Sequence, residues 1–179
     1  MHDSNTTANL LGATALALTD VTLGSVTRAA GVNARGATAL VTLSASPGLS
    51  VSELGRRVGL TQSAAARMVD ALEADGLLTR SPHPFNSHWV TVSLTETGWA
   101  TTQHILGARA TPLSGVLECL DEGEQQTLSD LLVKILTQLY EDNGNAQYIC
   151  RLCDRGACAT EHSTCPVGEA ERRDRRQPG

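Results

Sequence analysis

The stretch LSVSELGRRVGLTQSAAARMVDALEADGLLTR, residues 49–80, contains two short helical patterns joined by a tight turn. Ser50 with Glu53 three residues later is a capping-box pattern, which begins a helix, and Gly59 ends it. Thr61 can cap the next helix, whose apolar side chains recur at helical spacing until a second glycine ends it. Two such helices separated by VGLT predict a helix-turn-helix.

The hydrophobic period changes immediately after this motif. SPHPFNSH is followed by WVTVSL, in which apolar and polar residues alternate, so residues 77–94 are predicted to form a β-hairpin with its tip in the proline-containing stretch. A hairpin in this place is a wing. Helical patterns surround the motif and cover residues 10–30, 35–45, 95 onward and 121–143. The sequence therefore predicts a mainly α fold with a small β-hairpin wing, in which Pro112 kinks or breaks the helix that begins at Thr95.

Composition and charge restrict the function classes. The net charge is −5, but the acidic excess lies within residues 101–149, so a local DNA-binding face elsewhere is compatible with it. The sequence has no run of eighteen apolar residues and no basic region ahead of its first apolar stretch, which predicts a cytoplasmic protein without a membrane span. Since it has no nucleophile elbow, Gly-rich phosphate loop or paired carboxylates in an apolar setting, we do not expect an enzyme.

In the order of these elements, residues 10–143 resemble the MarR family of winged helix-turn-helix regulators. The resemblance is carried by residues 49–80 and by the strand-to-helix phrase VTVSLTETG. It implies a homodimer held by the N- and C-terminal helices, a DNA-binding core over residues 36–95, and a double-stranded DNA operator. It also implies repression of target genes, relieved by a small-molecule effector or by oxidation of a cysteine.

Several polar side chains are candidates for DNA contact. We expect Gln62, Ser63 and Arg67, at the start of the second helix of the motif, to read bases in the major groove. Arginines flanking that helix are expected to contact phosphates: Arg56, Arg57 and Arg80. At the wing tip His88 stands where the family usually has arginine, so we expect a weaker, pH-sensitive minor-groove contact.

Four of the five cysteines lie within sixteen residues near the C-terminus, in the segment 146–168. Their spacing is C-x2-C-x4-C-x6-C, and the residues are Cys150, Cys153, Cys158 and Cys165. Free thiols in a flexible tail and a thiol–disulfide switch are the alternatives, but such clustering favours a metal centre. The six residues between the third and fourth cysteines are a longer gap than a zinc site usually has. The proline after the last cysteine favours a [4Fe–4S] cluster slightly over zinc. His162 is an alternative ligand. Beyond this segment, residues 169–179 are expected to be a disordered charged tail.

Two hypotheses for function follow. The first is a sequence-specific DNA-binding repressor whose C-terminal four-cysteine centre senses redox or metal state. The second is a repressor that responds to a small lipophilic ligand, with the four cysteines forming a purely structural zinc site. The remaining cysteine, Cys119, lies in an apolar helical stretch and is expected to be an inert small hydrophobe.

Overall fold

The computed structural model describes residues 4–83, 86–158 and 165–176, without the side chains of residues 86–88. The chain forms mainly helices with one antiparallel two-stranded hairpin, which confirms the predicted fold class. The elements are α1 Ser4–Ala30, α2 Ala34–Ala45, α3 Val51–Arg57, α4 Gln62–Ala74, β1 Leu78–His83, β2 Asn86–Leu94, α5 Glu96–Leu117, α6 Glu122–Asn143, α7 Ala146–Ile149, α8 Arg155–Cys158 and α9 Pro166–Arg176.

The helices begin at the side chains that the sequence pattern indicated. The Thr61 hydroxyl accepts a hydrogen bond from the backbone of Ala64 at 3.4 Å, and Ser50 accepts one from Glu53 at 3.2 Å. Asp121 and Glu124 form a complete capping box at the start of α6. In the capping box predicted for α3 only the Ser50 half is present, because the Glu53 carboxylate is hydrogen-bonded to two arginines instead.

The main core joins the helix-turn-helix to the wing. α2 is buried along most of its length and packs against α3, α4, α5 and β2. Among the fully buried side chains here are Leu40, Leu43, Leu54, Val69 and Val92. Since α4 buries one face in this core, its opposite face points away from the protein.

The phrase LTETG forms the junction between the wing and α5. The Thr95 hydroxyl donates to the carbonyl oxygen of Gly76 at 2.7 Å and accepts from the backbone N–H of Gly98 at 3.0 Å. A Cβ atom at Gly98 would clash with the carbonyl oxygen of Leu77. The glycine therefore permits a close approach of the helix start to the base of the wing, which ties α4, the hairpin and α5 together.

Two long helices outside the helix-turn-helix and the wing, which together are called the head below, have exposed apolar side chains. α1 packs on α5, yet it exposes Leu10, Leu11, Val21 and Leu16, the last at 71%. α6 exposes Leu131, Leu132, Val133, Ile135 and Leu139. By length and composition alone α1 would suffice to cross a membrane, which is weak evidence for a span, and the cytoplasmic location stays a prediction. The predicted break at Pro112 is wrong, because α5 continues through this residue to Leu117.

The C-terminal segment is more ordered than the sequence predicted. Residues 169–176, expected to be part of a disordered tail, belong to α9, which packs on α6 and α7. Val167 is 1% exposed and lies with Ala170 and Tyr140 in a second small core. The Tyr140 hydroxyl also donates to the carboxylate of Asp174 at 3.2 Å. These apolar and polar contacts order a stretch whose composition alone predicts disorder.

Candidate nucleic-acid interface and cysteine site

The outward face of α4 carries the three residues predicted to read bases. Gln62, Ser63 and Arg67 are all exposed, at the N-terminal end of the helix and on the side opposite the buried Ala65 and Val69. Within the part of the chain that the structure describes, Arg67 has no hydrogen bond or ion pair. Its guanidinium is therefore available to a ligand outside the protein.

Arg56 and Arg57 are both engaged by one carboxylate. Arg56 donates two hydrogen bonds to Glu53, at 2.9 and 2.7 Å, and Arg57 donates one at 2.7 Å. The hydrogen bonds from Arg56 and then Arg57 lower the pKa of the Glu53 carboxyl to about 2. The predicted phosphate contacts of these two arginines would thus compete with an ion pair inside α3.

Arg80 joins the wing to α4. From the middle of β1 its guanidinium reaches Asp70 at 2.6 Å and also forms an ion pair with Glu73. Its backbone N–H donates to Glu73 as well, at 3.2 Å. The two acidic side chains of α4 are thereby partly neutralised, and Arg80 is turned towards the protein.

At the end of the wing, the rings of His83 and Trp89 meet edge-on with centroids 6.0 Å apart, and Trp89 is exposed. β2 includes the backbone of His88, whose side chain lies outside the described residues. The predicted minor-groove contact of His88 therefore stays a prediction, as do the other predicted DNA contacts.

The four C-terminal cysteines converge on one cavity. Cys150, Cys153, Cys158 and Cys165 all line a space of about 260 Å³ between α7, α8 and the start of α9. Three arginines share this lining: Arg155, Arg172 and Arg175. Among the described residues no three Cys, His, Asp or Glu side chains are close enough together to hold one metal ion. His162 lies outside the described residues.

The thiols of the cavity differ in acidity. A hydrogen bond shared by Cys150 and Cys153 lowers the pKa of Cys153 to about 6 and, together with burial, raises the pKa of Cys150. Burial raises the pKa of the Cys158 thiol. The charges of Arg109, Arg155 and Arg151 lower the pKa of Cys153 further. Near neutral pH the pair formed by Cys150 and Cys153 therefore carries a thiolate, the form of cysteine that binds metals.

The cysteine segment packs directly on the helix-turn-helix. Cε2 of Tyr148 lies 3.0 Å from the place that a Cβ of Gly59 would occupy, in the turn between α3 and α4. The guanidinium of Arg151 lies 4.1 Å from the centre of the Tyr148 ring, and Leu152 packs against the main core. Sequence reasoning missed these residues, although an isolated aromatic residue in an otherwise polar segment was a usable signal.

Cys119 takes no part in the cysteine site. It lies just beyond the end of α5, is exposed, and donates a hydrogen bond from its thiol to the carbonyl oxygen of Val116 at 3.1 Å. The expected position within an apolar helix is therefore wrong, whereas the expected inertness of this thiol stays a prediction.

The helix-turn-helix, its wing and the exposed start of α4 define a winged helix-turn-helix protein. Residues 33–87 match the MarR family. The HTH-type transcriptional repressor YetL of Bacillus subtilis is 29% identical over 93 residues, which span 52% of this chain and 53% of YetL. Over this region the chain is similar to the MarR family of transcriptional regulators, and it spans about half the length of the curated relative that it matches.

Solved structures show the same fold. A MarR family protein from Bacillus stearothermophilus superposes with a TM-score of 0.68 at 24% identity, over 78% of this chain and 99% of that protein. A point mutant of MepR from Staphylococcus aureus, bound to an oligodeoxyribonucleotide, superposes with a TM-score of 0.58 at 16% identity, over 74% of this chain and 96% of MepR. The C-terminal cysteine site is an addition to the fold on which these comparisons do not bear.

Proposed function

We propose that the protein is a homodimeric repressor that binds a double-stranded DNA operator with α4 in the major groove. The observation that carries this proposal is the exposed face formed by Gln62, Ser63 and Arg67 at the N-terminal end of a helix whose other face is buried. A hydrogen-bonding face on the first turns of such a helix is what base readout requires. The complex of MepR, which has the same fold, with an oligodeoxyribonucleotide supports DNA binding as the function of this fold.

The dimer rests on the apolar faces of α1 and α6. Exposed leucines on both helices, among them Leu10, Leu16 and Leu131, would be costly in water and are suited to burial against a second copy. A two-fold dimer would present two copies of α4 to a pseudo-palindromic site. This assembly also offers an explanation for a long apolar helix in a protein that we propose to be cytoplasmic.

The test of DNA binding is a titration of a duplex from the region upstream of the gene, followed by fluorescence anisotropy at several salt concentrations. If Arg67 reads a base, Arg67→Ala should weaken binding by about 1–3 kcal/mol. If Arg67 contacts phosphate, the substitution should reduce the slope of log affinity against log salt concentration by about one. Arg28→Ala is the matched control, since it removes an equal charge from an exposed site near the end of α1. A wild-type protein that ignores duplex DNA even in dilute buffer would refute the proposal.

The four-cysteine cavity is proposed to hold a metal or iron–sulfur centre whose occupancy sets DNA affinity. Its support is the convergence of four thiols from two separate stretches, residues 150–158 and Cys165, on one space beside the head. Loading or emptying that space would therefore act on residues that also contact the helix-turn-helix. Equal operator affinity of the loaded and the emptied protein would refute the sensing role.

A second candidate effector is a small lipophilic ligand. A cleft of about 270 Å³ lies between α1, α5 and the cysteine segment, and its lining includes Leu18, Leu23, Leu113 and Leu152. In this version the cysteines are a structural zinc site. Cys158→Ser should then lower thermal stability and leave the response to an added ligand unchanged, whereas a sensing centre predicts that the regulatory response is lost.

A further inference from the structure

The cavity that the four cysteines line together with other residues is larger than a single ion needs. Its volume is about 260 Å³, against the roughly 10–15 Å³ that one water molecule occupies on the same measure. A tetrahedral zinc site brings four sulfurs to about 2.3 Å from one ion and leaves no such space. Across the described residues, no three candidate ligands approach closely enough to hold one ion. The cavity therefore has room for a larger group with several metal atoms.

The surroundings also suit a group of negative charge. A [4Fe–4S] cluster held by four thiolates is an anion, and the cavity of the cysteines is also lined by three arginines and one carboxylate, Glu171, so these side chains carry net positive charge. Arg155 is held there by a hydrogen bond of 2.6 Å to Gln147, and Arg175 by an ion pair of 2.8 Å with Glu171. The backbone N–H of Gly168, in the first turn of α9, points to Sγ of Cys165 at 3.5 Å. Hydrogen bonds to ligating sulfurs of this kind tune cluster stability.

We propose that Cys150, Cys153, Cys158 and Cys165 ligate one [4Fe–4S] cluster in this cavity. The proposal deepens the proposed function by naming the cofactor, and it does not depend on DNA binding. Three ligands come from residues 150–158, which run from the end of α7 to the end of α8, and the fourth is the residue before α9, so cluster binding would join two stretches of chain.

The experiment is purification without oxygen, reconstitution with iron and sulfide, and measurement of the visible spectrum together with iron, sulfide and zinc content. Absorbance at roughly 400 nm with about four irons and about four sulfides per chain is expected. Cys158→Ser should lose most of both, and because Cys158 is exposed this substitution spares the packing. Cys119→Ser, which changes an exposed cysteine outside the site, should keep the wild-type content. A colourless protein with about one zinc per chain would overturn the proposal, as would equal iron content in the two variants.

An independent observation concerns how this site reaches the DNA-binding head. The ring of Tyr148 lies against the turn between α3 and α4 at Gly59, and the Arg151 guanidinium lies over the same ring. Arg151 also donates to the carbonyl oxygen of Tyr148 at 2.8 Å. Since Arg151 lies between Cys150 and Cys153 in the sequence, a short chain of contacts joins the thiols to the helix-turn-helix.

We infer that Tyr148 is a positioning residue that transmits the occupancy of the cysteine site to α4. This inference rests on the proposed function. A group that draws Cys150 and Cys153 to fixed places also fixes Arg151 and the ring of Tyr148, and the ring in turn bears on the turn that orients α4. A shift of the turn by a fraction of an ångström would change the fit of α4 to the groove.

The test compares operator affinity of the loaded protein and of the protein emptied with a chelator. In the wild type the two affinities should differ at least about fivefold, which is the lower end of the usual range for allosteric coupling between two sites. Tyr148→Ala should reduce that difference to less than about twofold without changing iron and sulfide content, whereas Tyr148→Phe, which keeps the ring, should preserve it. An unchanged difference in Tyr148→Ala overturns the inference. Equal wild-type affinities refute coupling alone, whereas absence of DNA binding in both states refutes the proposed function itself.

Discussion

Gly59 lies in the turn between α3 and α4, and replacing it by alanine should destabilise the protein for two separable reasons. Its φ is +71°, in the left-handed region, where a residue with a Cβ costs about 1–2 kcal/mol. The new Cβ would also lie 3.0 Å from Cε2 of Tyr148, and relieving such overpacking adds about 1 kcal/mol. Because Tyr148 is 44% exposed, its ring can move aside, so the second contribution stays at the low end of its range. The expected total is about 2–3 kcal/mol.

Two further variants separate the contributions. Gly76 has almost the same φ, +70°, and in the described structure an added Cβ there would meet nothing within 4 Å. Gly76→Ala should therefore cost only the backbone contribution, about 1–2 kcal/mol. Combining Gly59→Ala with Tyr148→Ala should show a coupling of about 1 kcal/mol, because the second substitution removes the clashing ring.

The assay is urea denaturation followed by circular dichroism, at one protein concentration because the unfolding of a dimer depends on it. Equal losses in Gly59→Ala and Gly76→Ala, with strict additivity in the double variant, would show that Tyr148 does not press on the turn. That result would also remove the physical basis of the inferred transmission from the cysteine site.

Two other substitutions test the packing of the head. Glu53→Gln should cost about 0.5–1 kcal/mol at pH 7, since it removes the partly exposed ion pairs with Arg56 and Arg57. The folded pKa of Glu53 is lowered to about 2, so this contribution is complete above the unfolded value of 4.5 and is lost as pH falls towards 2. Unfolding curves of variant and wild type should therefore converge in acid, and a gap that persists at pH 2 would contradict the assignment. Gly98→Ala should cost about 3 kcal/mol or more, because the new Cβ would strike the Leu77 carbonyl, and a thermal midpoint within a degree or two of wild type would refute this.

The elements that sequence reasoning located well are those with local signals. Thr61 and Asp121 are caps, Gly59 and Gly76 end helices, and alternation within residues 77–94 marks the hairpin. Each of these signals acts within a few residues, so neighbouring sequence suffices to detect it.

Contacts between distant parts of the chain could not be predicted in this way. The order of α9 depends on burial of Val167 and Ala170 against Tyr140, about thirty residues earlier in the chain, and nothing in the charged composition of α9 shows this. The approach of Tyr148 to Gly59 is likewise a product of the tertiary fold. The four cysteines were found because their clustering is visible in sequence, whereas the size of the space between them is not.

The double ion pair of Arg80 has a consequence for how the head would meet a duplex. Through Asp70 and Glu73 it fastens the hairpin to α4, so the two would travel as a single rigid body. A small rotation of that body would then displace the contact of α4 and the contact of the hairpin with the nucleic acid at the same time. Release of the DNA would then be abrupt and not gradual, because the contacts of α4 and of the hairpin would be lost together.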